Sequence, residues 1–275
     1  MSDLLGDTVE LSPSSGEAHA PGPSTDPLRS AAGLLAEAES RGISLRLLGS
    51  GGVILHCEHC SRLCRLLNRE PPGDLDFAGY ARESGQIVSL FHDLGFEDDP
   101  TVAHSQEFGT NRLIYQHAIN NLKVDVFLDL LRMSHTLQFK HRLELRSRTL
   151  TAEDLLLSKL QIHALTDKDI LDIVTLLGAH GPGIPDRDSI DMGYILRILR
   201  TDWGWYHTAE LNLHRVHQYV ASSNRVRTIP YSAVQTQVTD FLGRMAREPK
   251  TLSWKVRSAI GARVPWYEDV EEVHR

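Results

Sequence analysis

The sequence predicts an α+β protein: a small mixed β-sheet core flanked by helices, followed by an all-helical C-terminal region. Up to about residue 148, short apolar strand-like segments alternate with helical patterns, whereas later segments have helical spacing only. A hairpin signal in the first part adds antiparallel pairing to strands that are otherwise joined through helices. We therefore divide the chain into an N-terminal extension (1–27), a core (28–148) and a helical C-terminal domain (149–275).

The composition is that of a folded protein with an acidic balance. The 275 residues are 41% hydrophobic and 24% charged, with a net charge of -7, so there is no overall nucleic-acid signature. No apolar segment approaches the roughly 20 residues that span a bilayer, and the N-terminus lacks a signal-peptide pattern. We expect a cytoplasmic protein with no membrane partner. The extension is rich in Ser, Pro, Gly and acidic residues and is expected to be disordered.

The elements of the core follow from apolar spacing and from Gly or Pro breakers between the segments. The helices predicted in the core cover residues 28–41, 53–68 and 83–94. The strands predicted there cover residues 45–48, 74–80, 111–118, 122–130 and 137–145. Ile119-Asn120-Asn121 separates two of these strands and predicts a hairpin turn.

The C-terminal domain begins with a helix-capping signal at Thr151, which has an acid three residues on. The helix that follows is expected to carry Lys159 and His163. Further helices are predicted over residues 167–177, 189–200, 206–220, 232–246 and 252–260.

Three aspartates of the core have the arrangement that a metal site needs. Asp74 and Asp76 open a predicted strand, where alternate side chains share a face, and Asp125 lies inside another strand. Clustered carboxylates repel one another unless a cation neutralises them, and their oxygens suit magnesium. Two such ions roughly 4 Å apart stabilise the attacking and leaving oxygens of an in-line displacement. Asp129 is an alternative third acid, since strand alternation places it on the face of Asp125.

A glycine-rich turn, Gly49-Ser50-Gly51-Gly52, lies between the first predicted strand and a helix. Glycine lets the backbone approach a phosphate closely, and N–H groups at the start of a helix favour an anion. The order of this turn, the paired aspartates and the third aspartate is the order that metal-dependent nucleotidyl transfer requires.

Together with two helical segments, these motifs resemble the nucleotidyltransferase superfamily, and within it the AbiEii-type branch, which includes toxins of toxin–antitoxin pairs. The helical segments are Leu157-Ser158-Lys159-Leu160 and Lys168-Asp169-Ile170-Leu171-Asp172-Ile173, and the resemblance covers roughly residues 45–177. It implies a nucleotidyltransferase core, a nucleoside triphosphate as substrate and Mg²⁺ as cofactor.

The resemblance also implies roles for individual residues. Asp74, Asp76 and Asp125 would form the catalytic and metal-binding set, in which Asp125 activates the attacking hydroxyl. The residues implied to bind the nucleotide are Gly49, Ser50, Lys159, Asp169 and Asp172. The residues alone leave simpler interpretations open, because a helical lysine usually reaches solvent. Asp169 and Asp172 share a helix face, which favours a solvated surface or a bond to Lys168 or Arg146.

Several other features have two interpretations. Cys57, Cys60 and Cys64 have either the spacing of a metal motif or that of one buried helix face, and we favour the buried face. Basic residues at Arg142, Arg146 and Arg148 and in the C-terminal half suit an RNA acceptor or an ordinary charged surface, of which we favour the surface. The Trp203-Gly204-Trp205 and Trp266-Tyr267-Glu268 segments match no known site and are expected to be packing anchors.

We therefore expect an Mg²⁺-dependent nucleotidyltransferase that moves a nucleoside monophosphate from a triphosphate to a hydroxyl acceptor and releases pyrophosphate. The acceptor would be RNA or a small molecule. Two alternatives stay open: a nucleotide-binding or interaction module without turnover, and a toxin whose partner is an antitoxin protein.

Overall fold

The computed structural model describes residues 26–57, 67, 72–99, 111–180, 189–222 and 231–269. Its helices are α1 (Pro27–Ser40), α2 (Gly49–His56), α3 (Ser84–Asp93), α4 (Ala152–Leu160), α5 (Asp167–His180), α6 (Met192–Leu199), α7 (Trp203–Ser222), α8 (Tyr231–Arg247) and α9 (Leu252–Ile260). Its strands are β1 (Arg46–Leu48), β2 (Asp74–Gly79), β3 (Phe96–Asp98), β4 (Arg112–His117), β5 (Lys123–Leu128), β6 (Leu130–Arg132) and β7 (Thr136–Gln138).

Five strands form a mixed sheet in the order β1-β2-β5-β4-β3. The central pair β2 and β5 is parallel, while β1–β2, β4–β5 and β3–β4 are antiparallel. The predicted turn at residues 119–121 does join β4 to β5, and Asn121 adopts a left-handed backbone with φ 56°. The mixed sheet flanked by helices confirms the predicted α+β class.

The two faces of the sheet pack against different parts of the chain. On one face of the sheet, every second side chain of β2 and β5 packs in a hydrophobic cluster with α1 and α3. Phe77 and Val126 are examples. Leu48 and Ala78 point to the opposite face and join a second cluster, which includes the buried apolar residues of α4 to α8. Residues at the ends of β1 and β2 on this second face therefore lie between the sheet and the helical half.

Two element boundaries differ from the prediction, one at the glycine turn and one at β7. α2 begins at Gly49 rather than at Val53, so the glycines form the first turn of the helix instead of a loop before it. The expected strand over 137–145 is wrong beyond Gln138: His141 adopts φ 59°, and Leu143–Leu145 form a 3₁₀ turn. The left-handed residue stops strand pairing before the segment reaches its second half.

Helix ends in the C-terminal half were set by packing more than by glycine. α5 continues through Gly178, which was expected to end it, because Ala179 and His180 are buried in the core. α7 begins at Trp203 instead of Tyr206, and α6 begins after Asp191, whose carboxylate caps it. Within the described ranges, no helix combines the length and the apolar character needed to cross a membrane.

The two tryptophan segments pack on each other, which agrees with the expectation that they are packing anchors. The Trp203 ring stacks on His207, and the Trp266 ring contacts both at 6.4 Å and 5.1 Å between centroids. A Cβ at Gly204 would overlap the Trp266 carbonyl, so glycine is needed for this close approach. These aromatic residues fasten residues 264–269 to the start of α7.

Arg142 is a buried structural cation. Its guanidinium donates to Asp154 at 2.8 Å, to Glu153 at 2.6 Å and to the Thr151 hydroxyl at 2.9 Å, and it lies over the Tyr194 ring. Its side chain is 13% exposed. Both interpretations of the basic cluster therefore fail at this residue, since Arg142 is neither an RNA contact nor part of a charged surface.

Replacing Arg142 with Met is expected to destabilise the protein by about 3–5 kcal/mol, because it leaves buried carboxylates without a counter-charge. Urea denaturation measures this loss. Arg132→Met is the matched control: Arg132 pairs with Glu268 in an exposed ion pair, so its loss should cost about 1 kcal/mol or less. Equal losses in the two variants would contradict the assignment of Arg142 as a buried structural ion.

Candidate active site

Strand pairing brings the three predicted carboxylates together. In the parallel register of β2 and β5, Asp76 is directly opposite Asp125, and Asp74 is two residues before Asp76 on the same face. Leu48 is opposite Asp76 on the other side, so the start of α2 adjoins the same point. Asp125 is buried, with 3% of its surface exposed, while Asp74 and Asp76 are partly buried. The predicted cluster therefore forms on the sheet face that meets the helical half.

Asp76 has a raised pKa in this cluster. Its pKa is raised from the ordinary 3.8 to about 7, first by burial and then by the negative charges of Asp74 and Asp125. The positive charges of Lys159 and Arg112 oppose the rise without cancelling it. The carboxylates thus form an acidic site whose charge is incompletely neutralised by the protein.

Gly49 lies against the Asp76 carboxylate. A Cβ at this position would overlap Asp76, and the backbone φ of 63° is one that side-chain-bearing residues rarely adopt. Glycine is thus required on two grounds. No side chain of the described ranges caps the N-terminus of α2, which leaves the helix start adjoining the carboxylates open to an anion.

A second group of predicted residues connects α2, α4 and α5. The ammonium of Lys159 lies 2.8 Å from Asp169 and 3.1 Å from Asp172, and the Ser50 hydroxyl donates to Asp172 at 2.8 Å. Burial alone would lower the pKa of Lys159, but the two carboxylates outweigh it and raise that pKa. The network holds the Ser50 turn against the helical half.

This network corrects the simpler interpretations of its members. Asp172 is fully buried and Lys159 is 8% exposed, so neither residue belongs to a solvated surface. Asp169 accepts from Lys159 and from the Thr166 hydroxyl rather than bonding Lys168 or Arg146. Their predicted contacts with a nucleotide stay predictions.

Arg112 is a site residue that the motif analysis missed. It lies on β4 opposite Phe127, two positions from Ile114, which faces Asp125 across the hairpin. Its guanidinium therefore reaches diagonally to Asp125, at 2.6 Å. The observed register pairs Gln116 with Lys123, whereas pairing the strands back from a three-residue turn at 119–121 puts Gln116 opposite Val124. That one-residue difference turns Arg112 to the other face of the sheet, so the sequence motifs did not identify it.

Asp129 does not lie on the strand face of Asp125. β5 ends at Leu128, and Asp129 adopts φ 63°, so strand alternation does not extend to it. Its carboxylate instead accepts from the backbone N–H of Ala81 at 3.1 Å. The expectation that Asp129 shares a face with Asp125 is wrong for this conformational reason, and Asp125 is the acid beside Asp76.

The carboxylate cluster fits a hard divalent cation by its donor chemistry, although it is not a preformed metal site. Among the described residues, no group of three or more His, Cys, Asp or Glu side chains is arranged to hold a metal ion. Asp125 already accepts a hydrogen bond from Arg112. All the donors are carboxylate oxygens. Mg²⁺ would neutralise their negative charges and so relieve their mutual repulsion.

Only the first of the three cysteines can be described. Cys57 follows the end of α2 and is buried in the core beside apolar residues. This position agrees with a small buried hydrophobic residue. Cys60 and Cys64 lie outside the described residues, and so does the extension before Asp26.

Comparison with known proteins finds similar solved structures, among them the following two. No protein-family model and no curated protein matches the chain. A crystal structure of an antigenic nucleotidyltransferase-like protein from Paracoccidioides brasiliensis is 15% identical, covering 79% of this chain and 96% of its own, with a TM-score of 0.40. The solution structure of the antibiotic-resistance factor ANT(2'')-Ia is 11% identical, covering 55% and 80%, with a TM-score of 0.33. Both TM-scores are below 0.5, and we draw no functional conclusion from either likeness.

Replacing Asp76 with Asn is expected to stabilise the metal-free protein at alkaline pH. Because the folded-state pKa is near 7 and the ordinary value is 3.8, the folded protein binds the proton more tightly, and stability falls as pH rises between these values. Asn removes that penalty. Thermal unfolding in chelator should show a gain of about 1 kcal/mol or more at pH 8, shrinking towards pH 4.

An exposed aspartate supplies the control for this pH dependence. Asp98 pairs with His92 at the surface, with 62% of its side chain exposed, and Asp98→Asn should give no gain that grows between pH 4 and pH 8. A loss of stability in Asp76→Asn at pH 8 would contradict the unneutralised site described above.

Proposed function

We propose that this protein is an Mg²⁺-dependent nucleotidyltransferase, which moves a nucleoside monophosphate from a nucleoside triphosphate to a hydroxyl acceptor and releases pyrophosphate. The observation that supports it most is the pairing of Asp76 with Asp125 on adjacent parallel strands, with Asp74 on the same face and Gly49 in contact with Asp76. Carboxylates beside an open helix N-terminus suit a cation and a polyphosphate together.

Asp74 and Asp76 would hold the magnesium, and Asp125 would complete the site and accept the proton of the attacking hydroxyl. Bound Mg²⁺ would neutralise charge on the triphosphate and assist the departure of pyrophosphate. Most of the catalysis by the protein would then be positioning, because the carboxylates are fixed by strand pairing rather than by mobile loops.

The start of α2 would bind the phosphates through the backbone at Gly49 and Ser50. The Ser50 hydroxyl already donates to Asp172, and Asp172 is held by Lys159. This chain of contacts would fix the backbone of the turn, so that Lys159 acts on the nucleotide through the turn as well as through its own charge. Asp169 would hold the other side of the same ammonium.

The acceptor would be RNA or a small molecule, and the AbiEii-type resemblance adds a toxin role with an antitoxin protein as partner. Growth arrest on expression, relieved by the product of a neighbouring gene, would support the toxin role. Harmless overexpression would oppose it without affecting the proposal of transfer.

A second candidate is a nucleotide-binding module without turnover. Two ion-paired cations favour it. Lys159 forms ion pairs with two carboxylates, and Arg112 forms one with Asp125. A protein in which Arg112 stayed bonded to Asp125 would not present that carboxylate to a metal. Saturable triphosphate binding without pyrophosphate release is the signature of this alternative.

Asp76→Asn is expected to reduce transfer at least about a thousandfold, because one metal ligand and one negative charge are lost. The assay measures pyrophosphate release and label transfer from each of the four α-labelled nucleoside triphosphates, with Mg²⁺, total RNA and cell extract. Since this variant should be the more stable protein at pH 8, its inactivity would not be due to unfolding.

Asp129→Asn is the matched control, because Asp129 is near in sequence but bonded to Ala81 outside the cluster. It should retain transfer within about tenfold. Full activity of Asp76→Asn would overturn the proposed site, and triphosphate binding without any label transfer in the wild type would favour the binding module.

A further inference from the structure

Arg112 lies in the acidic site, but the proposed function gives it no role. Its guanidinium is in direct contact with Asp125, and the pair is short, at 2.6 Å. The carboxylate is almost fully buried, while the arginine side chain is 33% exposed at the rim. Arg112 thus places its positive charge against Asp125, one of the carboxylates that would hold the metal.

The contacts of Arg112 are incomplete where it now lies. Its Nε–H is buried and has no hydrogen-bond acceptor among the described residues. Its guanidinium carbon lies 5.1 Å from the centre of the Phe127 ring, a loose cation–π distance. A buried donor without an acceptor costs free energy, which makes this position of the guanidinium less favourable.

We propose that Arg112 is an internal counter-ion, which neutralises Asp125 before the metal–nucleotide complex binds and moves off it to bind the polyphosphate when that complex enters. The inference rests on the proposed function. Two cations would compete for Asp125, and the divalent one would displace the guanidinium from it. The freed guanidinium has the planar fork that binds phosphate oxygens in bidentate fashion.

Because of this exchange, loss of Arg112 should change the affinity for the metal and the affinity for the polyphosphate in opposite directions. Without Arg112, Mn²⁺ alone should bind more tightly, because no positive charge competes for Asp125. At saturating Mn²⁺, tripolyphosphate should bind more weakly, because the guanidinium is missing. A residue that only stabilised the fold would weaken both.

The test measures Mn²⁺ binding by its paramagnetic resonance signal and tripolyphosphate binding by calorimetry, which avoids the unknown base of the nucleotide. Arg112→Gln is expected to tighten Mn²⁺ binding at least about tenfold and to weaken tripolyphosphate binding about tenfold. Arg112→Lys, which keeps the charge but not the fork, should restore the Mn²⁺ affinity of the wild type only. Arg132→Gln, at a remote exposed ion pair, should leave both affinities unchanged.

A measurement on the wild type covers the case in which Arg112→Gln does not fold. The Nε–H resonance of Arg112, assigned by its loss in Arg112→Lys, should shift and exchange faster with solvent once Mg²⁺ and tripolyphosphate are added. An unchanged resonance while tripolyphosphate binds would overturn the inference, as would unchanged or weaker Mn²⁺ binding in Arg112→Gln.

The two proposals fail in different ways. If the wild type binds Mn²⁺ neither alone nor with tripolyphosphate, the proposed function is wrong, and the role of Arg112 fails with it. If the wild type binds Mn²⁺ and tripolyphosphate and Asp76→Asn abolishes that binding, the site stands. The behaviour of Arg112→Gln then decides the counter-ion role alone.

Discussion

The parallel pairing of β2 with β5 is the constraint on which the rest of the site depends. It places Asp76 directly opposite Asp125, and two carboxylates held this close on adjacent strands repel each other at a cost that the fold must absorb. The antiparallel strands on either side provide the compensation. β1 delivers the open start of α2 to Asp76, and β4 delivers Arg112 to Asp125.

Charge is handled differently in the site and in the helical half. Arg142 and Lys159 are buried cations that are each held by two carboxylates, and both fasten helices to the core. In the acidic cluster, Asp76 keeps a raised pKa despite the nearby Lys159 and Arg112. Buried carboxylates with a raised pKa are found more often at functional sites than at structural ones.

Most of the fold was predictable from local patterns. The aspartates were recognised because strand alternation is a local property, and the hairpin because its turn residues are local as well. The errors occurred where a single backbone angle decided the outcome. Asp129 and His141 have positive φ angles, and apolar periodicity carries no information on such angles, so β5 was predicted too long and the 137–145 strand was extended past its end.

The sequence by itself determined the α+β class, the identity of the clustered carboxylates and the glycine turn beside them, because each depends on residues close in the chain. Only the tertiary structure decided that Asp125 rather than Asp129 lies beside Asp76, that Lys159 is held by Asp169 and Asp172, and that Arg112 reaches Asp125. Those facts depend on strand register and on helix packing across long separations, where the partner of a charge is set by distance in space rather than by spacing in sequence.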